Sequence, residues 1–268
     1  MNTPYPPSQI GFGILLLIGS IILPFLIKTI RKESHLAPKK TECLQHRAWS
    51  NRTLYTLLIS WLSLYLLAAI TGLFFYEDQL PTVRLILTYI IYTLIGAQII
   101  HTPRTQSSTQ PLGLATQNLP QLRWALPLYL AFLPLLSLIA ILNQLFLTEL
   151  LQIETEHQAI TQQMTQWNNP LNQLYILTAI LIAPLYEEIL FRGVLLPKLI
   201  QKTGLTNALI ITSLLFAALH FHLPALLPLF ALSILLSLVY WWSGSLWNCI
   251  AIHMLFNAGS IAFLIANN

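Results

Sequence analysis

The amino-acid sequence predicts an all-α protein, a polytopic bundle of about eight transmembrane helices. Its 268 residues are 56% hydrophobic and only 8% charged, and the mean hydropathy is +0.67. A soluble domain averages about 25% charged residues. Several apolar runs approach the roughly 20 residues that cross about 30 Å of hydrocarbon. These runs are continuous rather than alternating, which favours membrane helices over a β-barrel.

Eight apolar segments account for most of the chain. They lie near residues 10–28, 53–75, 84–101, 124–148, 171–197, 205–221, 224–242 and 245–266. No Lys or Arg precedes the first segment and no clear cleavage site follows it, so we interpret it as a retained helix. The polar segment at 149–170 predicts a helix lying on the membrane surface. It divides an N-terminal four-span region, residues 1–150, from a C-terminal region, residues 151–268.

The basic residues predict an orientation. Eleven of the thirteen Lys and Arg residues fall in loops that alternate to one side of the membrane, chiefly in the loop at 28–52. Arg84 falls on the other side, and Arg192 lies within a span. The positive-inside rule therefore places both termini outside the cytoplasm. We expect an integral protein of the cell (inner) membrane with the lipid bilayer as partner. The cations lie beside spans, which indicates a role in topology rather than in nucleic-acid binding.

Polar side chains inside the C-terminal spans are the most unusual feature of the sequence. A charge at the bilayer centre costs about 2.5–3.5 kcal/mol on insertion scales, so such groups usually face the bundle interior and mark function. The candidates are Glu187, Glu188 and Arg192 on span five, His220 at the end of span six, and His253 and Asn257 on span eight.

Helical spacing groups these candidates. Glu188 and Arg192 stand at i, i+4 and share one helix face, where they can form an ion pair. Glu187 points about 100° away, so its carboxylate is free for another task. His253 and Asn257 also stand at i, i+4. At about 1.5 Å per residue, the three spans bring the candidates to overlapping depths, which predicts one buried site.

The chemistry of this set suits hydrolysis of an amide bond. A carboxylate and a histidine can share the activation of a water molecule. A second histidine and an amide can donate hydrogen bonds to the oxyanion formed from a carbonyl. Two histidines and a carboxylate could instead bind a divalent metal such as zinc. No HExxH is present, and Cys43 and Cys249 lie outside any Cys/His cluster, so we favour no cofactor.

Two further functions compete with hydrolysis. An ion-coupled transporter could use Glu187 and His220 as a proton relay, but it predicts polar residues in the spans of both regions, and spans one to four offer few. A catalytically idle scaffold, such as an immunity or partner-binding protein, could keep the same helices. Intact Glu187 and His220 argue against a scaffold, because it has no chemical reason to bear the burial cost of these side chains.

Three motifs occur in order on separate spans, and together they resemble a known family. They are EExxxR (Glu187, Glu188, Arg192), FxxxH (Phe216 to His220) and HxxxN (His253 to Asn257). The pattern resembles the CPBP family, the CAAX prenyl protease and bacteriocin-processing type of intramembrane protease, also called ABI proteases. The resemblance covers roughly residues 171–260, and the first half of the chain matches only in being membrane helices.

The resemblance implies an intramembrane endopeptidase and a role for each matched residue. The water-activating pair would be Glu187 and His220, the supporting pair Glu188 and Arg192, and the oxyanion pair His253 and Asn257. Family members are commonly labelled metalloproteases, although the structurally understood ones look glutamate-dependent and metal-free. The implied partner is a protein or peptide substrate at the membrane, and no nucleic acid.

Overall fold

A computed structural model describes residues 7–47, 49–71, 74, 80–101, 112–114, 116–153 and 169–266. Within these ranges the chain is helical and contains no β-strand, so the predicted all-α class is confirmed. The helices are α1 (Pro7–Lys32), α2 (Ala37–Gln45), α3 (Asn51–Thr71), α4 (Leu80–His101), α5 (Ala125–Leu145), α6 (Pro170–Thr203), α7 (Leu205–Ala218), α8 (Leu223–Ser243) and α9 (Leu246–Ala266). Short 3-10 helices cover Ser34–Leu36 and Thr116–Trp124.

Six stretches of the described chain are long and apolar enough to cross a membrane. They are Gln9–Thr29, Thr82–Ile99, Asn118–Leu150, Pro170–Thr203, Leu223–Ser243 and Leu246–Ala266. Two shorter apolar helices, Leu54–Ser63 and Leu205–Ala218, correspond to the predicted spans 53–75 and 205–221. With its 14 residues α7 is only about 21 Å long, less than the hydrocarbon thickness. Six of the eight predicted spans thus coincide with long apolar stretches, and the other two correspond to the apolar stretch within the 21-residue α3 and to the short helix α7.

The outer surface of the bundle is apolar. Leu17, Ile21 and Phe25 form a stripe on α1 and are 66–70% exposed, and Leu62 and Leu66 on α3 are 62% exposed. Soluble monomers rarely expose continuous apolar surface of this kind. The protein is therefore an integral membrane protein whose outer helix faces contact lipid.

Helix α6 lies between two apolar clusters. One cluster involves α1, α2, α5, α8 and α9 and includes Leu196 and Ile200 of α6. The other involves α3, α4 and α7 and includes Phe191 and Val194 of α6. The described helices of the N-terminal and C-terminal regions thus pack against each other through α6. The boundary between these regions near residue 150 stays a prediction.

Segments that the charge pattern assigns to one side of the membrane do contact each other. Arg47, which follows α2, donates a 2.8 Å hydrogen bond from Nη1 to the carbonyl of Gly244 between α8 and α9. Leu246 N donates to the Gly113 carbonyl at 3.2 Å. The 28–52 loop, the segment before α5 and the α8–α9 turn therefore share one end of the bundle. Which end faces the cytoplasm stays a prediction, and the surface helix predicted at 149–170 lies largely outside the described residues.

Close packing of α1 on α5 depends on a glycine. A Cβ atom at Gly19 would overlap the backbone carbonyl of Leu130 and lie 2.9 Å from Cδ of Pro134. We expect Gly19→Leu to lower the free energy of unfolding by about 1–3 kcal/mol, because overpacking forces the two backbones apart. Thermal unfolding of the purified protein in detergent micelles measures this loss. Gly13→Leu is the matched control, because a Cβ at Gly13 meets open space. Equal stability of the two variants would contradict the prediction.

Candidate active site

The helix that carries the two glutamates is irregular on both sides of them. In α6 an α-helical segment, Ala183–Glu188, lies between the π-helical turns Thr178–Ile182 and Ile189–Leu195. Pro184 is the second residue after the first π turn. It lacks an N–H donor, and its ring displaces the carbonyl of the preceding turn. Wide turns of this type occur often at functional sites, since they redirect side chains within a continuous helix.

Arg192 is held on several sides inside the bundle. Its Nη1 donates to Glu188 Oε1 at 2.8 Å, and both side chains are fully buried. Its Nη2 donates to Oγ of Ser233 on α8 at 2.8 Å and to the carbonyl of Ser233 at 3.1 Å. The guanidinium carbon lies 4.9 Å from the centre of the Phe216 ring, in cation–π distance. The structure thus contains the ion pair that the i, i+4 spacing predicted.

His253 of α9 joins the two glutamates. Its Nδ1 lies 2.8 Å from Glu188 Oε1, and its Nε2 lies 3.8 Å from Glu187 Oε2. The His253 side chain is 2% exposed and that of Glu187 is 14% exposed. Glu187 is therefore the most accessible of the ionisable groups in this cluster, and Glu188 is shared between a guanidinium and an imidazole.

His220 contacts the ring of Phe216, which in turn contacts His253 of the cluster. Its Nδ1 donates a 2.8 Å hydrogen bond to the carbonyl of Phe216, one turn earlier in α7. Because a carbonyl only accepts, Nδ1 carries the proton, and Nε2 of the neutral ring has the lone pair. The Phe216 ring lies 5.0 Å from the His220 ring and 5.7 Å from the His253 ring. Among the described residues no hydrogen bond or ion pair joins His220 to Glu187 directly.

Asn257 also binds α6, at a different level. Its Nδ2 donates to the carbonyl of Ala179 in the first π turn at 2.8 Å. His253 and Asn257 therefore face the same helix, one at Glu188 and the other at Ala179. Within the described part of the chain, the Asn257 amide makes no hydrogen bond to the other five candidates.

Two contributors to the site were not identified as such from the sequence. Ser233 was not singled out, although it and Ser237 stand at i, i+4 as two hydroxyls in the apolar run of α8, a detectable signal. Phe216 is the first residue of the FxxxH motif and has no assigned role in the sequence analysis, yet its ring contacts Arg192 and both histidine rings. Outside the cluster, Tyr186 stacks on Tyr92 of α4, with ring centres 4.6 Å apart.

The described residues contain no group of three or more His, Cys, Asp or Glu side chains placed to hold a metal ion. Cys43 and Cys249 are both free thiols. Whether the protein needs a cofactor stays a prediction.

Comparison with known families connects this geometry to an activity class. Residues 169–259 match the family described as type II CAAX prenyl endopeptidase Rce1-like. The match contains all six candidate residues and nearly coincides with the segment, roughly 171–260, that carries the three motifs. Searches of curated proteins and of solved structures gave no match. The resemblance to CAAX prenyl proteases inferred from the motifs is confirmed: residues 169–259 of this integral membrane protein match the type II CAAX prenyl endopeptidase Rce1-like family.

Proposed function

We propose that the protein is an intramembrane endopeptidase of the cell (inner) membrane that hydrolyses a peptide bond in a membrane-associated protein or peptide. The observation that supports this most is the buried cluster in which Glu187, Glu188 and Arg192 of α6 meet His253 of α9. Such a cluster is costly to place among apolar helices. A protein without chemistry to perform gains nothing that compensates this cost.

In the proposed reaction, Glu187 and His220 activate the water. Glu187 is partly accessible, and among the described residues its ion-pair distance is the 3.8 Å to Nε2 of His253, so its carboxylate can accept a proton from water. The Nε2 lone pair of His220 accepts the second hydrogen bond of that water and orients it. Glu188 and Arg192 keep the helix segment that carries Glu187 in place.

The oxyanion of the tetrahedral intermediate needs hydrogen-bond donors. Asn257 and His253 supply them in this proposal. The Asn257 amide donates to the Ala179 carbonyl in the structure, so substrate must take over this donor when it binds. The π turn that contains Ala179 offers a carbonyl that is released without breaking a regular α-helical turn.

The family match makes a CAAX-type segment, with a prenylated cysteine near the carboxyl terminus, the first substrate class to test. A farnesylated CAAX peptide and its unmodified form, offered to the reconstituted protein, distinguish two cases. Cleavage of the farnesylated peptide alone supports a prenyl-dependent enzyme. Cleavage of both peptides supports processing of membrane peptides in general.

The test of the proposal compares the host membrane proteome with wild type, Glu187→Gln or no protein expressed. We expect new protein termini with wild type that vanish in Glu187→Gln, while detergent-extracted yield stays the same. Glu42→Gln on α2 is the matched control, since the Glu42 side chain is 70% exposed. Identical termini from wild type and well-folded Glu187→Gln would overturn the catalytic proposal and favour the scaffold alternative.

A further inference from the structure

One oxygen atom of Glu188 accepts two strong hydrogen bonds. Its Oε1 lies 2.8 Å from Nη1 of Arg192 and 2.8 Å from Nδ1 of His253, in a fully buried position. Arginine stays protonated in proteins, so its partner carboxylate is ionised. An ionised carboxylate accepts hydrogen bonds and cannot donate them. The proton of the Glu188–His253 hydrogen bond therefore belongs to Nδ1 of His253.

This assignment determines what the other ring nitrogen can do. With the proton on Nδ1, Nε2 of the neutral His253 ring has a lone pair and no hydrogen. That nitrogen is on the side of the ring nearer Glu187, at 3.8 Å from Oε2. A neutral His253 cannot donate from Nε2 to an oxyanion. It must first take up a proton, and the carboxyl group next to it is Glu187.

We propose that Glu188 is a positioning residue that fixes the tautomer of His253, and that His253 carries a proton from Glu187 to the leaving amine. This inference rests on the proposed endopeptidase function. It gives His253 two roles in sequence, as proton acceptor and then as donor. The imidazolium form, held by the Glu188 carboxylate, is also the form that donates from Nε2 to the oxyanion.

The steps balance as follows. Water loses one proton to Glu187 as its oxygen bonds to the carbonyl carbon, and the carbonyl oxygen becomes the oxyanion. Glu187 passes this proton to Nε2 of His253. The imidazolium then protonates the peptide nitrogen while the carbon–nitrogen bond breaks. The products are a carboxylic acid and an amine, and both Glu187 and His253 return to their starting states without an added reactant.

The tautomer is measurable without any substrate. Protein labelled with ¹⁵N-histidine contains seven histidines, and the His253 signals are those lost in His253→Gln. In wild type at pH 7.5 we expect His253 to carry hydrogen on Nδ1 and to give the unprotonated nitrogen shift on Nε2. A wild-type His253 ring protonated on Nε2, alone or together with Nδ1, would overturn the inference even if no variant folds.

Variants then test which glutamate fixes the ring. Glu188→Gln replaces a carboxylate that can only accept by an amide that can also donate to Nδ1, so we expect the single tautomer to give way to a mixture. Glu187→Gln alters only the Nε2 side and should keep the wild-type tautomer. An unchanged tautomer in folded Glu188→Gln would assign the positioning role elsewhere and overturn the proposal.

A kinetic measurement separates this inference from the proposed function. With a substrate in hand, Glu188→Gln should lower kcat by about 10²-fold, the lower range for general acid–base catalysis, with KM nearly unchanged. If the wild-type protein cleaves no substrate, the endopeptidase proposal is rejected and the tautomer measurement stays valid. Conversely, a wrong tautomer in an active enzyme would reject this inference and leave the endopeptidase proposal standing.

Discussion

Replacing Arg192 by methionine is expected to lower the free energy of unfolding by about 3–5 kcal/mol, the usual cost of removing one partner of a buried ion pair. The substitution keeps an unbranched apolar stem but leaves the fully buried Glu188 carboxylate with His253 as its remaining partner among the described residues. It also leaves the Ser233 hydroxyl and carbonyl without their donor. Unfolding by denaturant or heat in detergent micelles measures the loss.

Two comparisons isolate the unpaired charge as the cause. Lys202→Met, on the exposed last turn of α6, should change stability by less than about 0.5 kcal/mol. The double variant Glu188→Gln with Arg192→Met removes both charges, so it should be more stable than Arg192→Met alone. If the double variant is less stable than Arg192→Met, burial of an unpaired carboxylate is not what destabilises the single variant.

The second large effect concerns catalysis and His220. Asparagine can place its amide nitrogen where Nδ1 of His220 lies, so it keeps the hydrogen bond to the Phe216 carbonyl and lacks a base. We expect His220→Asn to fold as well as wild type and to cleave substrate 10²- to 10⁴-fold more slowly, the range of general acid–base catalysis. The rate on reconstituted substrate, normalised to folded protein, measures this effect.

The neighbouring histidine provides the control. His222 stands two residues later, directly before α8, and matches no position of the three motifs. His222→Asn should therefore keep a cleavage rate close to that of wild type. Loss of activity in His222→Asn with normal activity in His220→Asn would show that our proposal assigns the water-activating role to the wrong histidine.

The sequence alone determined the fold class and the elements of the site that depend on spacing within one helix. Continuous apolar runs leave few alternatives in a membrane, because backbone groups must be paired within each segment, and the long helices begin and end within a few residues of the predicted spans. The i, i+4 spacing of Glu188 and Arg192 likewise predicted their ion pair, since such side chains are neighbours on any helix.

The apolar composition of a segment did not predict how long its helix is. The sequence suggested eight comparable spans, and the structure gives α7 too few residues to cross the hydrocarbon core unaided. Its helix stops at Ala218, and Phe221 adopts a positive φ of 47°. The apolar composition of the 205–221 segment hides this turn, because hydropathy does not register where a backbone changes direction.

Tertiary structure alone decided which side chains meet across helices. Nothing in the sequence distance from Glu188 to His253 indicates which ring nitrogen faces which carboxylate, and that contact assigns the proton. The hydrogen bond from Arg192 to Ser233 depends equally on how α8 packs against α6. The 3.6-residue repeat of a helix determines which side chains share a face. Contacts between helices depend on the packing angle and relative depth of the helices, which the amino-acid pattern of each helix does not specify.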